Sequence, residues 1–139
     1  MNYDNLLGAC SGNQGFPKHL QHCDTKKGNV SIKINPTDKN CETLVKFKSS
    51  GEIYSDNEDI NKDIDDTLNL NMYQLVKARK AVLDQALKMF NHKHRGKWTK
   101  SIIQKEINKW SAHGRYDKYQ RYCRIVVFYF EKKLRKNMV

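Results

Sequence analysis

The chain has 139 residues, of which 38% are hydrophobic, and a mean hydropathy of −0.85. That composition supports a single domain with a modest core, or a small domain with a helical extension. It excludes a transmembrane protein, because no apolar run approaches the ~18 residues a span needs.

Met1–Gly8 has neither the basic start nor the long apolar stretch of a secretory signal. The four cysteines, at positions 10, 23, 41 and 123, are too irregular for a disulfide-stapled scaffold. The expectation is a soluble cytoplasmic protein whose thiols are reduced or metal-bound. The formal net charge of +11 is unevenly spread. Residues 1–66 carry 8 Lys/Arg and 11 Asp/Glu, whereas residues 67–139 carry 18 and 4, with all six arginines. A half so basic concentrates phosphate oxygens around itself, which points to nucleic acid. Solvated helix faces on an ordinary basic protein are the alternative.

In chain order, residues 1–29 read as loop, broken by Gly8, Gly12, Gly15, Pro17 and Gly28. Val30–Ile34 alternates apolar and polar residues as a half-buried strand does, and Asn35-Pro36 ends it. Thr43–Lys48 predicts a second strand and Glu52–Tyr54 a third, joined through Ser49-Ser50-Gly51 into a hairpin. Asp56–Asp66 is acidic and reads as a linker or a polar helical turn. Asn71 is positioned to cap a long helix through Phe90, with Leu75, Val76, Arg79, Leu83, Ala86 and Phe90 on one stripe. Thr99 predicts the cap of a second helix bearing Ile103, Ile107 and Trp110. A third helix is predicted from about Asp117, with Tyr119, Tyr122, Cys123, Val126, Val127 and Phe130 on its buried side.

The chemistry-bearing stretch is Tyr3-Asp4-Asn5-Leu6-Leu7-Gly8-Ala9-Cys10, followed by His22-Cys23-Asp24-Thr25-Lys26-Lys27-Gly28-Asn29. An Asn-Leu pair precedes a cysteine, and a second cysteine precedes a Lys-Gly pair. This resembles the second half of an HNH (ββα-metal) nuclease motif. Cys41-Glu42, Gly51-Glu52-Ile53, Thr67–Asn71 and Leu75–Arg79 recur in the same order in one HNH branch, the PtuB-type effectors of Septu and retron anti-phage systems. The match covers roughly residues 3–90, and the last helix more loosely.

The resemblance implies an α+β fold. A ββα-metal remnant with a small hairpin would occupy residues 1–55, a linker 56–70, and a helical region 71–139. It implies metal-dependent cleavage of nucleic acid phosphodiesters. In such a site an asparagine orients a histidine that acts as general base on water, while a divalent cation stabilises the developing charge. Carried over, Asn5 takes the asparagine role, with turn chemistry as its alternative. Asp24 takes a metal-ligand position suited to Mg²⁺ or Mn²⁺, and His22 is the alternative ligand on the other side of Cys23. Cys10 and Cys23 would be two ligands of a structural Zn²⁺, with buried inert thiols as the alternative; Cys41 and Cys123 read as structural.

The upstream part of the motif carries the catalytic histidine, its neighbouring ligand and a CxxC pair. None of His19, His22, His92, His94 and His113 obviously replaces that histidine. The chain is therefore expected to hold about half an active site, as a fragment, a protein with a misassigned start or a short protein that has lost the activity.

Lys26, Lys27, Arg95 and Lys97 are the candidate nucleic-acid contacts. In His92–Trp98 the cations suit a DNA backbone and Trp98 suits stacking on a base, whereas Trp98 also suits stapling onto the following helix. The resemblance further implies an AAA/ABC-type ATPase partner (PtuA-like), in some systems a retron reverse transcriptase with its RNA–DNA, and no membrane. Two other readings stay open, a non-catalytic adaptor of the same complex and a DNA-binding regulator.

Overall fold

A computed structural model of the chain describes residues 10–112 and 119–136. They combine mostly helical structure with one small sheet, so the class is α+β. The elements are a 3₁₀ turn at Lys18–Leu20, α1 at Cys23–Lys27, α2 at Cys41–Leu44, β1 at Lys46–Phe47 and β2 at Ile53–Tyr54. They continue with α3 at Glu58–Lys62, a π-helical turn at Asp63–Thr67, α4 at Tyr73–Lys93, α5 at Lys100–Ser111 and α6 at Cys123–Lys136. β1 and β2 form a two-stranded antiparallel sheet. No helix among the described residues is long and apolar enough to cross a membrane.

The described residues divide into two compact units. One is drawn from Met1–Val45 and Ile53–Met72, the other from Lys46–Glu52 and Tyr73–Val139.

The second unit is built on the stripes visible in the sequence. Leu83, Ala86 and Phe90 of α4, Ile103, Ile107 and Trp110 of α5, and Cys123, Val126, Val127 and Phe130 of α6 make its core. Burying each large side chain contributes about 1.5–3 kcal/mol. Thr99 caps α5 as its position predicts, its Oγ1 accepting from the Ile102 N–H at 3.3 Å. Trp98 is packed rather than displayed, with its ring centroid 4.8 Å from that of Phe90. Arg79 sits on the buried stripe because its Nε donates to the Gly51 carbonyl at 2.6 Å. Gly51 itself has φ +99 and lies so close to the α4 backbone at Val76 that no Cβ fits there.

The first unit has little regular structure and is held by side chains bonding to backbone. Ile60 and Ile64 are its buried anchors. Asn57 caps α3, its Oδ1 accepting from Asp59 N–H at 2.9 Å. The Leu68 N–H reaches back to the Asp63 carbonyl at 2.8 Å, closing the wider π turn. The acidic stretch expected as a linker or helical turn thus forms α3 and this turn.

Four expectations are corrected. Val30–Ile34 is not a strand; the Lys33 N–H, which a sheet would have paired, donates to the Asp63 carboxylate at 2.7 Å. Thr43–Lys48 is split, its start belonging to the helical turn α2 and only Lys46–Phe47 to a strand. Asn71 lies two residues before α4, which begins at Tyr73. Its amide accepts from the Ile53 N–H and donates to the Ile53 carbonyl, both at 2.8 Å, serving the edge of β2 as a neighbouring strand would. The last helix begins at Cys123, directly after Tyr122 at φ +55, and Tyr119 is 57% exposed instead of buried.

Candidate metal centre

Four short backbone features bring Cys10 to the start of α1. Gly12 is buried at φ +58, and its carbonyl accepts from the His22 N–H at 3.1 Å. The Thr25 hydroxyl donates to the Ser11 carbonyl at 3.0 Å. The loop between is closed by Asn13 Nδ2 donating to Leu20 O at 2.9 Å and Gln21 Nε2 donating to Phe16 O at 2.8 Å. From the other side, the Cys23 N–H donates to Leu68 O at 2.8 Å, and Asn69 Nδ2 donates to Gln21 O at 2.9 Å and His19 O at 3.2 Å.

This lacing holds non-glycine residues in the left-handed region, with Asn13 at φ +59, Cys23 at φ +56 and Asn69 at φ +50. Asparagine tolerates that region; for a cysteine it costs roughly 1 kcal/mol. Such strain is sustained where surrounding bonds over-determine the backbone, as they do at Cys23.

The product is a cluster of three donors. Cys10 Sγ, His22 Nδ1 and Cys23 Sγ all lie within 4.8 Å of one another. His22 Nδ1 is 3.8 Å from Cys10 Sγ and 3.1 Å from Cys23 Sγ. With tetrahedral Zn–S near 2.3 Å and Zn–N near 2.0–2.1 Å, sulfur and nitrogen ligands stand about 3.6 Å apart, a value these two distances bracket. Two thiolates and an imidazole suit zinc and disfavour Mg²⁺ or Mn²⁺, which take oxygen ligands. Among the described residues no fourth Cys, His, Asp or Glu joins the three. Cys10 is exposed and His22 and Cys23 are half-buried, so the cluster opens to solvent on the Cys10 side.

Of the site residues singled out in the sequence, the structure brings together Cys10, Cys23 and His22. His22, weighed as a ligand for a hard cation, stands between the two sulfurs. Asp24 is exposed in the first turn of α1 and is not one of the three donors. Lys26 and Lys27 follow on α1, where Lys26 Nζ donates to Lys18 O at 3.2 Å and Lys27 Nζ to Gly28 O at 3.3 Å. Arg95 and Lys97 are exposed in the segment between α4 and α5. Asn5 lies outside the described residues. Cys41 is half-buried, its thiol donating to Pro36 O at 3.4 Å, and Cys123 is in the helical core.

The supports Gly12, Leu68 and Asn69 were not legible as site residues. Gly12-Asn13 signals a turn, but no local pattern places residue 69 against residue 21. No family model, curated protein or solved structure matches the chain.

Proposed function

We propose that the chain belongs to an HNH-type nuclease subunit that cleaves nucleic acid phosphodiesters, with Cys10 and Cys23 as zinc ligands and Asp24 as a ligand of the hydrolytic cation. One observation carries the reading. The two cysteines stand side by side although twelve residues separate them in sequence, and these are the positions that the HNH resemblance marks for thiolate ligands. In this reading zinc replaces a hydrophobic core that the loop-rich first unit largely lacks. His22 supplies a third donor. The segment fixed this way leads directly into α1, whose first turn presents the Asp24 carboxylate to solvent.

Bound there, Mg²⁺ or Mn²⁺ would stabilise charge on the phosphodiester in the transition state. The chain's own part is to hold the Asp24 carboxylate in place and draw the nucleic acid backbone with Lys26 and Lys27. Asn5 keeps its role of orienting the general base. A ββα-metal arrangement of residues 1–55, an ATPase partner docking on the helices after residue 70, a role in anti-phage defence with or without a retron reverse transcriptase, and a cytoplasmic location belong to the same proposal.

The test is nicking of supercoiled plasmid by the untagged protein isolated from its native operon, with Mg²⁺ or Mn²⁺ supplied. Asp24→Asn should abolish nicking and leave the zinc content unchanged. Salt-sensitive binding without cleavage by the wild-type protein would overturn the nuclease reading. It would favour a nucleic-acid-binding adaptor, the second reading, which rests on the exposed Arg95 and Lys97.

A further inference from the structure

We infer that Cys10 and Cys23 are a redox modification site: peroxide closes them into a reversible disulfide that expels the metal. The inference rests on the geometry of the metal centre and does not require the nuclease reading. The sulfurs lie within 4.8 Å of each other, and none of the four cysteines is in a disulfide. A disulfide needs the sulfurs at about 2.0 Å, so one of them must move. Cys10 is the one that can, since it is exposed and belongs to no helix or strand. Cys23 is held by its backbone bond to Leu68 and supplies the fixed partner. The two other cysteines are placed differently. Cys123 is 8% exposed within the helical core, and the Cys41 thiol donates to a backbone carbonyl.

The chemistry balances with hydrogen peroxide as the oxidant. The Cys10 thiolate attacks one peroxide oxygen and the O–O bond breaks. This gives a sulfenic acid on Cys10 and a hydroxide that is protonated to water. The Cys23 thiolate then attacks the Cys10 sulfur, the S–S bond forms, and the S–O bond breaks to release a second hydroxide, also protonated to water. Each sulfur gives up one electron and the peroxide takes two. A disulfide offers a metal neither of its former thiolates, so the centre retains only His22 and zinc leaves. A thiol reductant reverses the sequence.

The zinc-loaded full chain, diluted to suppress links between molecules, is treated with hydrogen peroxide while a chromophoric chelator reports zinc. Intact mass and tryptic mapping are read in parallel. The expected result is stoichiometric zinc release, a loss of 2 Da, and a link joining peptide Met1–Lys18 to peptide His19–Lys26. Dithiothreitol should restore zinc binding. Cys41→Ser should leave the link in place and Cys10→Ser should eliminate it. Peptides that stay unlinked, a link through Cys41 or Cys123, or a sulfinic acid on Cys10 without a link would each overturn the inference.

Discussion

The side-chain amide of Asn69 donates to the carbonyl of Gln21 at 2.9 Å, across 48 positions of sequence, and so fixes the backbone immediately before His22. The same amide also reaches His19 O. Asn69 therefore holds a site that it does not enter. Groups that orient ligands in this way cost about 10–100-fold in metal affinity when removed. Asn69→Ala should weaken zinc binding by that factor in a chelator competition. It should also lower stability, because alanine is poorly suited to φ +50. Asn69→Gly, which accepts the backbone angle and lacks the amide, should lose affinity to a similar degree and keep more of the stability. Equal zinc affinity in wild type and Asn69→Gly would show that the amide has no orienting role.

Gly12 makes a second, steric prediction. A Cβ at this position would lie 2.7 Å from Thr25 Oγ1 and would also meet the His22 carbonyl, at φ +58. Gly12→Ala must push the Cys10 loop away from α1. The expected outcome is a loss of about 1–3 kcal/mol, in the range of overpacking and strain at special backbone angles. It should be accompanied by loss of bound zinc at fixed free metal. Gly15, at φ +90 with open space around it, is the control: Gly15→Ala carries the backbone cost alone and should retain zinc.

Helices and core could be read from the sequence because their information is periodic and local. Leu83, Ala86 and Phe90, or Ile103, Ile107 and Trp110, show their shared face at 3.6-residue spacing whatever lies opposite. The front of the chain resisted reading for the opposite reason. Val30–Ile34 alternates like a strand, yet alternation describes only the two faces of a chain; a strand also needs a partner, and Lys33 finds the Asp63 carboxylate instead. Asn71 stands just before a helix, and its amide bonds to Ile53 and Asp65. At the metal centre the donor types were visible, since two cysteines and a histidine are rare residues. Their grouping was not, because it depends on Gly12, Leu68 and Asn69 acting across long sequence separations.

Arg79 tests the link between α4 and the turn at Gly51. Arg79 is 4% exposed, and its guanidinium Nε donates to the Gly51 carbonyl. Arg79→Met conserves much of the apolar length and removes the donor. Leaving a buried carbonyl without that bond costs about 1–3 kcal/mol, so thermal unfolding should shift down accordingly. Zinc content, which depends on residues of the other unit, should be unchanged. A loss of zinc in this variant would mean that the two units unfold as one.

Asp59 supplies the pH dependence. The hydrogen bond and charge of Lys33, 2.8 Å away, hold the Asp59 carboxyl below its ordinary value, with desolvation opposing and Lys62 assisting. A folded-state pKa below the unfolded one favours folding when the carboxylate is charged. The contribution is therefore full above the ordinary carboxylate value and is lost as pH falls through the lowered one. The pair is exposed, so salt screens it and the effect on stability is small. Carboxyl-detected NMR should find Asp59 titrating below the ordinary aspartate value, and Lys33→Ala should raise it. An Asp59 titration unmoved by Lys33→Ala would show that the ion pair does not persist in solution.

Exposed cations and a packed ring lie within the seven residues His92 to Trp98, which span the end of α4 and the segment that follows it. Arg95 and Lys97 are exposed, whereas Trp98 packs on Phe90 and lies 6.1 Å, centroid to centroid, from Phe130. If nucleic acid is held here, the two cations act by displacing counterions, and each removed phosphate contact lowers the slope of log K against log salt by about 0.9 on duplex DNA. Arg95→Ala combined with Lys97→Ala should therefore weaken binding to every duplex tested, flatten the salt dependence by roughly 1.8, and leave the melting temperature in place. Trp98→Ala should do the reverse, since it opens a cavity beside Phe90 and costs about 3–5 kcal/mol. Its residual folded fraction should bind with an unchanged salt slope. Were Trp98→Ala instead to melt like wild type and bind more weakly, its ring would be a stacking platform for a base, and the packing against Phe90 would not describe the protein in solution.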